Sequence, residues 1–134
     1  MHTFDYNARE GILHAQVHGF WSLDDCERYA KDLEAAARDA RRRAGHLRLL
    51  IDSGTHGVQS ADVAARCVEI RKSQLQRPKD RIAVCSPSSL ARRQIGRSID
   101  TNQLALFATI EEARAWLLSG AESAGHFPFA RSAA

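Results

Sequence analysis

A short stretch in the middle of the chain carries the side chains best suited to chemistry. Asp52, Ser53 and His56 are the residue types of a hydrolase or transferase in which a histidine takes the proton of an attacking serine. Such a serine usually lies in a Gly-x-Ser-x-Gly turn, and Ser53-Gly54 lacks the preceding glycine. We therefore assign no catalytic residue and keep a small hydrolase or transferase using the 52–60 loop as the alternative hypothesis.

Three further serines precede segments with helical periodicity. Ser60 lies before one such segment, and a serine there typically caps the first turn. Ser86-Pro87 is interpreted as the cap and first residue of the next helix, because proline fits the first helical position. The N–H groups at these two helix starts favour a small anion. We predict that a ligand or partner binds at residues Asp52, Ser53, His56, Ser60, Ser86 and Ser88.

The three cysteines predict neither a metal site nor a disulfide framework. Cys26, Cys67 and Cys85 are odd in number, far apart and without a Cys-x-x-Cys pair. Cys26 and Cys67 fall on apolar helix stripes and Cys85 ends an apolar run, so each is expected to be a small buried filler. We expect no metal ion and no other cofactor, and three free thiols suit the cytoplasm.

The element that must position the 52–60 loop is the apolar run at residues 47–52. The run holds four large aliphatic residues, ends at Asp52 and is followed by two glycines, which is typical of a strand buried on both faces. Helical patterns precede and follow it, so we expect the central strand of a mostly parallel sheet. In open α/β sheets, ligands bind beyond the carboxyl ends of such strands.

The remaining patterns predict one α/β domain over residues 1–120, with a single-layer, mostly parallel five-stranded sheet. An N-terminal β-hairpin precedes alternating helices and strands, in the order β-β-α-β-α-β-α-β-α. The strands are expected at residues 3–7, 12–18, 47–52, 82–85 and 104–107. The helices are expected at roughly 23–44, from Ser60 to before Pro78, from Pro87 to about Ile99, and from Ile110 to Gly120. Residues 121–134 are interpreted as a loose C-terminal tail.

Composition excludes several classes of protein. The 134-residue chain carries a net charge of +3, and much of it comes from local clusters of basic residues such as Arg41, Arg42 and Arg43, which lie near a predicted helix end and complement the helix dipole. They are not interleaved with aromatic residues, so we expect no nucleic-acid partner. No apolar stretch approaches the ~20 residues of a membrane span, and the first residues lack a secretory pattern. A homodimer is compatible with these features.

Several short segments resemble, in their order, the STAS domain. The resemblance is strongest to the SpoIIAA-like branch of small bacterial proteins, which share the STAS/SEC14-type α/β fold. The similar segments are Val17-His18-Gly19 leading into Ser22-Leu23-Asp24-Asp25, then Leu49-Leu50-Ile51-Asp52, Arg81-Ile82-Ala83-Val84, and Phe107 with Glu112-Ala113 and Trp116-Leu117. Together these segments cover residues 3–119.

The resemblance implies a regulatory role. In the anti-sigma-factor antagonists of this family, a serine at the start of the helix after the central strand accepts phosphate from a kinase. The matching region here reads Val58-Gln59-Ser60-Ala61-Asp62, so Ser60 is the candidate phosphoacceptor. Our leading hypothesis is a non-enzymatic regulatory or interaction module. It would bind a protein partner, or a small anionic or apolar ligand, at the loops after the central strands.

Overall fold

The elements follow one another in the predicted order in the computed structural model, which describes residues 1–120. The strands are β1 (His2–Asn7), β2 (Ile12–His18), β3 (Arg48–Thr55), β4 (Arg81–Cys85) and β5 (Leu104–Phe107). The helices are α1 (Leu23–Ala44), α2 (Ala61–Ser73), α3 (Ser89–Gly96) and α4 (Ile110–Ser119). The predicted tail at residues 121–134 lies outside the described residues.

The strands form one mixed sheet in the spatial order β1-β2-β3-β4-β5. β1 and β2 are antiparallel, as expected of a hairpin, and every other neighbouring pair is parallel. β3 is the middle strand, and Leu49 and Leu50, which point to opposite faces, are both 0% exposed. The predicted α/β sheet with an interior strand at 47–52 is therefore confirmed.

The two faces of the sheet are covered unequally. Helices α1, α2 and α3 pack on the face formed by alternate strand residues such as Leu49, Ile51 and Val84. Helix α4 alone covers the opposite face, against residues such as Leu50 and Phe107. Apolar residues therefore occupy both sides of β3 and β4, because both of those sides are buried.

Helix α1 illustrates how local sequence sets the bounds of an element. Ser22 caps its first turn by accepting the Asp25 N–H at 3.2 Å, and the Asp25 carboxylate accepts the Ser22 N–H at 2.8 Å. Gly45 ends the helix in the left-handed conformation, with φ 83°. The buried stripe includes Cys26 and Leu33, as the apolar periodicity predicts.

Helix α2 ends earlier than predicted, at Ser73 instead of just before Pro78. The buried Asp80 carboxylate accepts the N–H groups of Gln76 and Arg77, each at 3.0 Å. These bonds hold the chain in a turn that cannot continue the helix. A contact from outside the helix therefore ends it before the proline does.

The same carboxylate joins the elements at the amino-terminal edge of the sheet. Asp80 is 0% exposed and also accepts the Leu47 N–H at 2.8 Å. The Arg41 guanidinium of α1 lies 3.2 Å from it, in a buried ion pair. Asp80 thus fixes the starts of β3 and β4 against α1, at the end of the sheet opposite the predicted ligand loops.

Candidate functional site

A cavity of about 220 Å³ lies between the sheet and the three helices on its more covered face. We call it the α2 cavity, because α2 supplies most of its helical wall. Its aliphatic lining comes from the sheet and from α2 and α3, and includes Val17, Ile51, Val68, Val84 and Ile95. Ser53, His56 and Gln59 line it at the carboxyl end of β3, so the cavity reaches the predicted ligand loops.

The small side chains of α2 explain why the space is not filled. Ala64, Cys67 and Val68 line the cavity and are only partly buried, whereas Val63 and Ile70 are packed into the core. Protein interiors are normally filled to close packing. Part of the predicted apolar face of α2 therefore borders open space instead of touching the sheet.

Arg71 places a positive charge in the wall of this cavity. Its side chain is partly buried, and within residues 1–120 it makes no ion pair or hydrogen bond. Burial lowers the pKa of the guanidinium, while nearby Cys67 and Tyr29 raise it; no carboxylate contributes. The other cations of α2 are paired, Arg66 with Glu27 at 2.6 Å and Lys72 with Asp100 at 2.9 Å. The charge of Arg71 is not compensated by any residue of 1–120.

Two polar atoms in the cavity wall are buried without a partner among the described residues, the Tyr29 hydroxyl and His56 Nδ1. Burial raises the pKa of Tyr29, so its hydroxyl stays protonated. Burial also lowers the pKa of His56 to about 4, and the positive charges of the N-terminal amino group and of Arg71 lower it further. The imidazole is therefore neutral at pH 7, and Arg71 is the one cation of the lining.

Gln59 ties together the loops at the mouth of the cavity. Its side chain accepts the Trp21 N–H at 2.8 Å and donates to the carbonyls of Gly19 and His56. Its backbone exchanges two hydrogen bonds with the Gln94 side chain of α3, at 3.1 and 2.9 Å. The β2–α1 loop, the β3–α2 loop and α3 are thus held as one unit.

The structure separates the residues of the hydrolase or transferase hypothesis. β3 continues to Thr55, three residues past its predicted end, because it pairs with β2 beyond a bulge that brings His18 opposite Thr55. Asp52 and Ser53 are therefore strand residues that point to opposite faces. Ser53 lines the α2 cavity with His56, whereas Asp52 lies on the other face and accepts the Gly54 N–H at 3.0 Å.

No hydrogen bond joins the Ser53 hydroxyl to His56 within the described part of the chain; their contact is between backbone atoms, from the His56 N–H to the Ser53 carbonyl at 3.1 Å. The nucleophile–base contact of a serine hydrolase is therefore not formed. The cysteines are no better activated, since burial raises the pKa of Cys26 to about 12 and that of Cys85 to about 11.

The serines at the helix starts have different environments. Ser60 is exposed and caps α2 by accepting the Val63 N–H at 3.3 Å, as predicted. The prediction for α3 is wrong: Ser88 is its cap, accepting the Ala91 N–H at 3.1 Å. Ser86 is 0% exposed and its hydroxyl has no partner in the described region. Of these three serines none lines the α2 cavity, and phosphorylation of Ser60 stays a prediction.

The position of the α3 cap follows from pairing of the preceding strand. The Ser86 N–H donates to the Phe107 carbonyl at 2.9 Å, which keeps Ser86 in register with β5. The chain is then extended through Pro87, and the helix starts two residues later than the proline suggests. A proline fits the first helical position but equally fits the extended segment before a cap.

Tyr29 and Arg71 are the residues of the cavity that the sequence analysis missed. Arg71 follows Cys67 by four positions and Val63 by eight, so it falls on the inner stripe of α2. Tyr29 lies between Cys26 and Leu33 on the inner stripe of α1 in the same way. A charged or hydroxylated residue on a predicted buried stripe is the signal that could have identified both.

Comparison of the chain with protein-family models, with curated proteins and with solved structures found no match. The resemblance to the STAS family therefore stays a prediction. Within the described residues, every helix is too short or too polar to cross a bilayer.

Proposed function

We propose that this protein is a non-enzymatic module that binds a small, mostly apolar molecule in the α2 cavity. The observation that carries the proposal is a cavity with aliphatic walls and two buried polar atoms, the Tyr29 hydroxyl and His56 Nδ1, that have no hydrogen-bond partner among residues 1–120. Buried polar groups in folded proteins nearly always have a hydrogen-bond partner. A ligand with an apolar body and a polar end would supply such partners.

The arrangement of the candidate nucleophiles favours binding over covalent catalysis. Asp52 and Ser53 face opposite sides of the sheet, and the Ser53 hydroxyl makes no bond to His56 in the described residues. The raised pKa values of Cys26 and Cys85 keep both thiols protonated at neutral pH. The free thiols also support our proposal that the protein works in the reducing cytoplasm.

The connection through Gln59 supports a regulatory role for this binding. The two loops that Gln59 joins expose Phe20 and Val58, which are 74% and 47% exposed. Exposed apolar side chains are typical of interaction surfaces when they form a contiguous patch. A ligand that contacts His56 would act on these loops, and we propose that they present the surface for a protein partner, as the resemblance to STAS domains implies.

The size of the cavity limits the ligand. A cavity of about 150 Å³ holds a benzene molecule, so 220 Å³ suits roughly nine or ten non-hydrogen atoms. Suitable probes are phenylacetate, 2-phenylacetamide, indole and hexanoate. At a hundredfold excess over its Kd, a bound probe stabilises the folded state by about 2.7 kcal/mol, which a thermal melt detects readily.

A cavity-filling variant makes this test specific. Ala64→Leu places three more carbon atoms in the cavity wall, so it should abolish the thermal shift produced by the probes. Ala61→Leu makes the same change on an exposed part of α2 outside the cavity and should leave the shift intact. Absence of a shift with every probe, or an equal shift in Ala64→Leu, would overturn the proposed function.

A further inference from the structure

The uncompensated charge of Arg71 deepens the proposed function and depends on it. Among residues 1–120, the lining of the α2 cavity contains one cation, the Arg71 guanidinium, and no carboxylate. The guanidinium is partly buried, and pairing with an opposite charge would offset the cost of its partial desolvation. Within residues 1–120 no side chain supplies that charge to Arg71.

We propose that the α2 cavity selects a small monocarboxylate whose carboxylate pairs with the Arg71 guanidinium and whose apolar body lies against the aliphatic walls. The planar guanidinium presents parallel N–H groups that match the two oxygens of a carboxylate. The Tyr29 hydroxyl also lines the α2 cavity and is buried without a partner among the described residues. It gives the carboxylate a second donor.

The charge count distinguishes a monoanion from other ligands. One unpaired cation neutralises one negative charge, whereas a phosphate dianion would leave a buried negative charge without a partner. The other titratable groups of the lining add no charge at pH 7. His56 is neutral at this pH, and burial raises the pKa values of Tyr29 and Cys67, so both stay protonated. An amine would meet a like charge and is excluded.

Phenylacetate and 2-phenylacetamide provide a matched test, because they have the same number of non-hydrogen atoms and differ in charge. We expect isothermal titration calorimetry at pH 7 to show one site that binds phenylacetate at least tenfold more tightly than the amide. Arg71→Met should remove this preference while retaining binding of the amide. Arg66→Met, on the same helix but paired with Glu27 and outside the cavity lining, should keep the preference.

The possible binding results distinguish failure of the monocarboxylate inference from failure of the proposed function. Equal affinities for the acid and the amide in the unmodified protein would overturn the monocarboxylate inference and leave the proposed function standing. A tenfold preference that persists in Arg71→Met would likewise overturn the role of Arg71. Failure of phenylacetate to bind would also overturn the monocarboxylate inference, and failure of 2-phenylacetamide, indole and hexanoate as well would overturn the proposed function itself. Arg71→Met should also fold, because it replaces an unpaired partly buried charge by an apolar chain of similar length; an unchanged or raised melting temperature checks this.

Discussion

The imidazole of His56 packs edge-to-face against the indole of Trp21, with the ring centroids 4.6 Å apart and the ring planes at 78°. The Trp21 backbone N–H is fixed by Gln59, which also holds the His56 carbonyl, so both rings are anchored by one side chain. This edge-to-face contact partly shields the His56 ring from water beside the α2 cavity. Its uncharged state at neutral pH is a property that solution experiments can test.

The stability of the protein should depend on pH through His56. Its pKa falls from 6.5 in the unfolded chain to about 4 in the folded one, so the unfolded state binds more protons between these values. Stability should therefore fall as the pH decreases from about 6.5 to 4, by about 3 kcal/mol from this residue. Urea unfolding of the unmodified protein and of His56→Gln, at pH 7, 5 and 4, measures the effect.

Comparison of the unmodified protein with His56→Gln isolates the contribution of His56 to the pH dependence of stability, because the carboxylates titrate in both proteins. The difference in free energy of unfolding between them should shift by about 3 kcal/mol in favour of His56→Gln between pH 7 and pH 4. A difference that stays constant over this range would show that His56 is not held neutral in the folded protein.

Asp80 should be among the most sensitive positions for stability. Asp80→Ala leaves the Arg41 guanidinium, which also donates to Gln74, without its counter-ion. It also leaves the Leu47, Gln76 and Arg77 N–H groups without their acceptor. We expect a loss of about 3–5 kcal/mol in the free energy of unfolding, as for removal of one member of a buried ion pair. Arg42→Ala, an exposed change one residue along α1, should stay within about 0.5 kcal/mol. Similar urea midpoints for the two variants would contradict this assignment.

The two serines near the start of α3 should respond in opposite ways. Ser88→Ala removes the cap of α3 and should cost about 1 kcal/mol. Ser86→Ala removes a buried hydroxyl that has no partner in the described residues, so it should be neutral or slightly stabilising. Chemical denaturation measures the free energy of unfolding of both variants. A greater loss of stability for Ser86→Ala than for Ser88→Ala would show that Ser86 is the cap, as the proline suggested.

The sequence was most informative where local contacts decide the structure. The capping box of Ser22 and Asp25 and the left-handed Gly45 define α1 from within its own segment, and the two-sided apolar run predicted the buried middle strand. The predicted end of β3 at Asp52 was wrong, because Thr55 pairs with His18, which is far away in sequence, and this pairing extends the strand. That extension decides on which face Asp52 and Ser53 lie.

The cavity itself could not be predicted from periodicity. Apolar spacing shows that Cys67 and Val68 face the sheet but does not show whether they reach it. Whether a small side chain is packed or borders a void depends on the distance between helix and sheet, which the whole set of surrounding contacts determines. Arg71 was visible as a charge on the inner stripe of α2, yet only the structure shows that no carboxylate meets it among residues 1–120.

The most direct test of the proposed function is an NMR titration of the ¹⁵N-labelled protein with phenylacetate at pH 7. We predict saturable shifts of the Arg71 Nε–H resonance and of the backbone amides of Tyr29, His56 and Cys67, all of which line the α2 cavity. Amides near Asp80, at the opposite end of the sheet, should not move. Unchanged Arg71 and cavity resonances at saturating phenylacetate, or shifts confined to exposed arginines outside the cavity, would contradict binding of a monocarboxylate in the α2 cavity, and unchanged cavity resonances with indole as well would contradict the proposed function.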